Sequence, residues 1–136
     1  MTNPPEGAQT TLSLTLPRST QAPATARRAL TEAGAGLGST ALHNVCLLVS
    51  ELVTNAVRHA HLEADDSVDL EVVVYDERVR VEVFDSGPGF VPGTPAPNLE
   101  EPSGWGLLIV DRVADRWGVT TGPGTRVWFE LDLRPV

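Results

Sequence analysis

The chain contains no lysine. Its ten basic residues are all arginine, set against 18 aspartates and glutamates, for a formal net charge of −8 over 136 residues. Without lysine there is no P-loop lysine and no GxxxxGK[ST], so a bound nucleotide would need another cradle. The acidic balance argues against a general binder of nucleic-acid backbones. A single cysteine, Cys46, excludes an internal disulfide. It lies in an apolar stretch, reads as a small buried thiol, and fits a reducing cytoplasm. No run of about 18 apolar residues occurs, so no transmembrane helix is expected. The opening MTNPPEGAQT has neither the basic cluster nor the apolar core of a secretory signal. Of three histidines only His59 and His61 stand close together, which completes no zinc set.

What is present is ordinary for one globular domain with a real core: 41% apolar and 21% charged residues. Residues 1–10 read as a flexible tail and 11–136 as a single domain. Thr11 to Leu16 alternates leucine with hydroxyl residues, a half-buried strand. A helix is expected from about Pro23 through Ala33, stopped by Gly34, Gly36 and Gly38. Ser39 or Thr40 can cap the next helix, which carries LLVSELVTNAVRHA. Val68–Tyr75 and Arg78–Asp85 alternate as an antiparallel hairpin about Asp76-Glu77. Ser86 to Ser103 is irregular, with Gly87, Gly89, Gly93 and five prolines, and a loop this long is functional or mobile. Gly104-Trp105-Gly106 then opens a helix that runs from Leu107 to about Trp117. Strands over Val119–Gly122 and Thr125–Leu133 then turn about Pro123-Gly124. The order β-α-α-β-β-loop-α-β-β predicts an α+β fold. Its economical packing is a two-layer α/β sandwich: one mixed, mostly antiparallel sheet with about three helices on one face.

In the second helix Glu51 and Asn55 are four apart and share a face, opposite an apolar stripe of Val45, Val49, Leu52 and Ala56. A carboxamide oxygen is a hard neutral ligand suited to Mg²⁺, and a carboxylate can take a proton from a hydroxyl or water. Asp85 has the parity of Val79, Val81 and Val83, so the pleat aims its carboxylate into the covered layer at the strand's end. Gly87 and Gly89 let a flat ligand approach the backbone, and Gly104 and Gly106 at a helix start favour an anion. Thr125 points inward from another strand. An acceptor for an amino group, a metal ligand and a phosphate cradle together suit an adenine nucleotide with Mg²⁺.

These motifs resemble, in order, those of the ATPase/kinase superfamily that includes gyrase B, Hsp90, histidine kinases and MutL, the GHKL or Bergerat ATP-binding fold. ELVTNAVRHA is similar to its N-box, FDSGPGF and GWGLLIV to its two glycine boxes, and GTRVWFEL to its final Gly-Thr strand. The short length, the TARRAL helix and the ADRWG segment are most similar to the anti-sigma factor serine kinases of the RsbW/SpoIIAB-like group. The resemblance implies ATP and Mg²⁺ as cofactors, Glu51 as general base, and Asn55 as the metal ligand. It implies Asp85 as the adenine acceptor, Gly87 and Gly89 as the adenine wall, and Thr125 as support for Asp85. It assigns phosphate contacts to the backbone N–H groups of Gly104, Gly106 and Leu107, an ATP lid to about 86–103, and a sigma-factor contact to Arg27. The implied partners are a sigma factor and a STAS-type anti-anti-sigma protein, in a cytoplasmic regulator that allows a homodimer, with neither nucleic acid nor membrane bound directly. One position departs from the pattern: relatives often carry Arg or Lys between the lid glycines, where this chain has Trp105. Without that cation the developing phosphate charge loses one stabiliser, and Arg112, Arg116 and Arg126 are the candidates to replace it. Nucleotide binding without phosphotransfer is therefore the alternative.

Overall fold

The computed structural model describes residues 7–17, 19–33, 36–59, 67–85 and 102–133, of which 8–10, 58–59, 102–107 and 121 are described by backbone alone. Eight elements follow in order: β1 (Ala8–Pro17), α1 (Ala22–Ala33), α2 (Ser39–His59), β2 (Ser67–Tyr75), β3 (Arg78–Asp85), α3 (Pro102–Val113), β4 (Arg116–Thr121) and β5 (Thr125–Asp132). The five strands form one sheet in the order β1-β2-β3-β5-β4, and every neighbouring pair is antiparallel. The two-layer α+β sandwich and its mostly antiparallel sheet are as expected, and every strand pair described is antiparallel.

Alternation builds the sheet. On β3 every second residue, Val79, Val81, Val83 and Asp85, is buried, and β2 contributes Val68, Leu70, Val72 and Val74 to the same side. Phe129 and Leu131 of β5 join them. Val73 is buried on the opposite face, with Thr11 and Arg80 as its cross-strand neighbours. Against the covered face lie α1, through Ala26 and Leu30, and α2, through Val45, Leu48, Val49, Leu52 and Val53. By length and composition alone, Ser39–Val57 (mean hydropathy 1.2) is long and apolar enough to cross a membrane, although polar residues interrupt it. Those apolar side chains are instead the centre of the domain core.

The uncovered face is held by charge and aromatic stacking. Among the described residues guanidinium groups lie over rings in three places: Arg78 over Tyr75 at 4.3 Å, Arg80 over Trp128 at 4.4 Å, and Arg126 over Phe84 at 5.3 Å. Glu130 accepts from Arg80 at 3.1 Å and from Arg116 at 2.7 Å, while Arg116 also pairs with Asp132. Burial pushes the Glu130 carboxyl up, but the hydrogen bonds and charges of Arg116 and Arg80 prevail and hold it below the usual carboxylate range. Hydrogen bonds to Asp132 first, and then to Glu130, raise the Arg116 guanidinium.

Several element ends differ from expectation for identifiable reasons. β1 begins at Ala8, inside the expected tail, because its ladder with β2 continues to Ala8 opposite Tyr75 past an irregularity before Thr10. Ser19 makes the turn that leads into α1: its hydroxyl accepts from the Gln21 N–H at 2.9 Å and its carbonyl from the Ala22 N–H, and the Gln21 carbonyl then accepts from the Thr25 N–H. Neither Ser39 nor Thr40 caps α2. Both are already helical, and the Leu42 N–H donates to the Gly38 carbonyl at 2.9 Å. The third helix starts and stops early. It takes in Gly104 and Gly106 and ends at Val113, so Arg116 and Trp117 belong to β4, paired with Glu130 and Phe129. The exit is fixed by the Asp115 N–H donating to the Glu130 carbonyl and by the Trp117 indole N–H donating to Asp111.

Candidate functional site

Asp85 is the last residue of β3 and is 6% exposed, with the parity of the buried valines before it. Its carboxylate therefore enters the layer between sheet and helices. On one side its cross-strand neighbour is Val68, on the other Thr125, which is 2% exposed. The Oδ1 oxygen is buried and receives no hydrogen bond among the described residues, although the residue does engage neighbours. A buried acid beside a buried hydroxyl at a strand end is costly to place unless polar contacts serve it.

One residue of this corner was missed among the candidates drawn from sequence. A Cβ on Gly124 would overlap the Asp85 carbonyl oxygen and come within 2.8 Å of the Phe84 ring. Glycine here lets the β4–β5 turn close directly onto the end of β3, bringing Thr125 opposite Asp85. The signal was the Gly-Thr pair that opens the last strand.

Glu51 and Asn55 are both half-buried on α2, one turn apart, on the helix that packs over β3 and against α3. Just before Glu51, Ser50 donates its hydroxyl to the Cys46 carbonyl at 2.7 Å and accepts from the Arg27 guanidinium at 2.9 Å. Arg27 is thus an exposed residue of α1 tied to the helix that carries Glu51, a link that spacing alone did not reveal. Cys46 is half-buried rather than buried.

The glycine positions divide. Gly87 and Gly89, with most of the expected lid, lie outside the described residues. Gly104 falls in the first turn of α3 and Gly106 and Leu107 in the second. Only the first turn of a helix leaves N–H groups free, so Gly104 keeps a donor for an anion, whereas at Gly106 and Leu107 the helix itself takes the donor. Two of the three candidates to replace the missing lid cation are on the wrong side of the sheet. Arg126 alternates with Thr125 and stacks on Phe84, and Arg116 is tied to Glu130 and Asp132, both on the uncovered face. Arg112 is exposed in the last turn of α3. His43 is exposed on α2, and no group of three metal-ligating side chains occurs among the described residues.

The profile of the histidine kinase-like ATPase domain matches residues 16–131, a span that includes α2, β3, α3 and all but the last residue of β5. The chain belongs to that family. Among curated proteins, the serine-protein kinase RsbW of Listeria monocytogenes is 35% identical over 57 residues, covering 41% of this chain and 36% of the kinase. This ATPase-family domain is also similar to solved structures. The RsbU and RsbW domains of Rv1364c from Mycobacterium tuberculosis superpose with a TM-score of 0.71 at 23% identity, over 93% of this chain and 34% of that one, a likeness of fold. The histidine kinase domain of the Erythrobacter litoralis EL346 blue-light activated histidine kinase gives 0.54 at 33% identity, over 66% and 43%. The expected resemblance to the RsbW-like members of the family is met by these matches. The matched segment spans only about a third of those curated kinases.

Proposed function

We propose that this histidine kinase-like ATPase domain binds ATP with Mg²⁺ and acts as a regulatory serine kinase. Its partners in this reading are a sigma factor, which it sequesters, and a small STAS-type anti-anti-sigma protein, which it phosphorylates in the cytoplasm. The observation that carries the reading is the corner formed by Asp85 and Thr125: a buried carboxylate and hydroxyl side by side at the end of a strand beneath α2. That donor set fits an adenine. The Asp85 carboxylate accepts the N–H of the exocyclic amine, whereas guanine would present a carbonyl oxygen there and be repelled. Thr125 holds the Asp85 end of the pocket, and Gly124 keeps the space closed against the backbone.

The remaining roles follow from side-chain chemistry. The Asn55 amide oxygen would hold Mg²⁺, and the first-turn N–H of Gly104 would donate to phosphate oxygens; the motifs assign Gly87, Gly89, Gly106 and Leu107 to the same nucleotide site, the last two lining it without a free backbone donor. Glu51, one turn from Asn55, would take the proton of the partner's serine hydroxyl as that oxygen bonds to the γ-phosphorus, while the bond from the γ-phosphorus to the β–γ bridging oxygen breaks and ADP leaves. ATP supplies the phosphoryl group. Arg27, exposed and steadied by Ser50, is assigned to the partner surface. A second reading, nucleotide binding without transfer, is favoured by Trp105 and by the position of Arg116 and Arg126 on the far face of the sheet.

Incubation with labelled ATP, Mg²⁺ and anti-anti-sigma proteins encoded in the same genome separates the two. Phosphoserine on a partner, lost in Glu51→Gln, is the result expected. Tight nucleotide binding with no transfer to any partner would leave the binding module standing.

A further inference from the structure

At the end of the domain remote from Asp85 lies a groove of about 940 Å³. It opens at the β2–β3 turn, where β3 begins, so the length of that strand, roughly 23 Å, separates it from the candidate nucleotide site. Its floor is apolar: Leu37 before α2, Ala41 in the first turns of α2, and Val113 at the end of α3. Its rim is acidic: Asp76 and Glu77 in the β2–β3 turn and Asp115 after α3, all exposed. Among the described residues no arginine or histidine lines it. Of the arginines next to its lining residues in sequence, Arg78 is held on the other face of the sheet by Tyr75 and Glu130, Arg116 by Glu130 and Asp132, and Arg112 does not line it.

We infer that this groove is a docking site for a peptide segment of a partner protein in which one or two aliphatic side chains are flanked by arginine or lysine. The volume accommodates a few side chains, and the apolar floor rewards aliphatic ones. The acidic rim selects cationic flanks and repels acidic ones. A second copy of this chain is a poor occupant, because each copy has a net charge of −8 and no lysine. The inference stands independently of nucleotide binding: it uses none of the residues assigned to ATP.

The test selects random dodecapeptides displayed on phage against the intact chain. Enriched peptides are then titrated by fluorescence anisotropy against the wild type, the double variant Asp76→Arg/Glu77→Arg, and Ala41→Trp, with circular dichroism as the fold control. The expected peptides combine Leu, Ile, Val or Phe with Arg or Lys. Their affinity falls about tenfold or more on charge reversal of the exposed turn, and binding is lost when the indole introduced by Ala41→Trp fills the floor. Acidic or uncharged consensus sequences overturn the inference, as does wild-type affinity in the double variant, which is expected to fold whether or not Ala41→Trp does. Two further results also overturn it: a wild-type dimer in sedimentation that Ala41→Trp dissociates, making a second copy the occupant, or a tenfold gain in peptide affinity on deleting residues 134–136, making the chain's own end the occupant.

Discussion

The substitution Gly124→Ala tests the construction of the Asp85 corner with a single methyl group. The added Cβ would overlap the Asp85 carbonyl oxygen and lie 2.8 and 2.9 Å from two carbons of the Phe84 ring. Neither neighbour yields easily. The carbonyl belongs to a strand paired on both sides, and the ring is pressed from outside by Arg126. Overpacking of a well-fitted site costs about 1–3 kcal/mol, and a backbone neighbour puts the expectation near the top of that range. For a domain of this size that is roughly 10 °C in Tm. The backbone of Gly124 does not have a positive φ, so the cost is one of contact rather than of conformation. An internal control sits two residues away: a Cβ on Gly122 meets nothing within 4 Å, and Gly122→Ala should stay within about 0.5 kcal/mol of the wild type. Thermal melts by circular dichroism read the stability, and calorimetric titration with ATP reads the displacement of Asp85 and Thr125. Equal melting temperatures for the two variants, or a Gly124→Ala protein within about 2 °C of the wild type, would refute the close approach.

Three other outcomes are expected. Asn55→Ala should abolish Mg²⁺-dependent nucleotide affinity with the fold intact, since Asn55 is only half-buried; unchanged affinity with and without Mg²⁺ in calorimetry would remove the metal role. Asp85→Asn should lower the preference for ATP over GTP by about tenfold or more, the loss of a hydrogen bond to a charged acceptor; competition binding that shows the same preference would take Asp85 out of adenine recognition. Glu130 has its carboxyl held below its ordinary value of 4.5, so its stabilisation is complete above that value and is lost as pH falls through the lower folded value. The drop in melting temperature between about pH 5 and about pH 3 should therefore be smaller in Glu130→Gln than in the wild type; an equal drop would mean that the Arg116 and Arg80 contacts add nothing.

The strands were the legible part of this sequence. Aliphatic residues at every second position of β2 and β3 admit one pleat and one register, and they fix the side on which Asp85 lies. The four-residue spacing of Glu51 and Asn55 was equally readable, because the apolar stripe behind it admits no other helical phase. Element ends were harder. Gly104 and Gly106 suggested a loop leading into a helix, whereas Pro102, which suits a first helical turn, was the better signal. Arg116 and Trp117 continued a helical pattern, and only their pairing with Glu130 and Phe129, a contact between distant segments, draws them into the sheet. The same is true of the Arg27–Ser50 hydrogen bond and of Gly124 under Asp85: each depends on which elements the fold brings together, and no local pattern encodes that.

The strand order has a kinetic corollary. β5 is the last of the eight elements in sequence, yet it sits between β3 and β4 and supplies the neighbour of Asp85. Until that strand emerges from the ribosome, β3 has an open edge and the acid at its tip faces water. The corner read as the purine pocket can form only after nearly every other piece of the domain has been synthesised, so a nascent chain stalled before Thr125 should be blind to ATP however much helix it has already made.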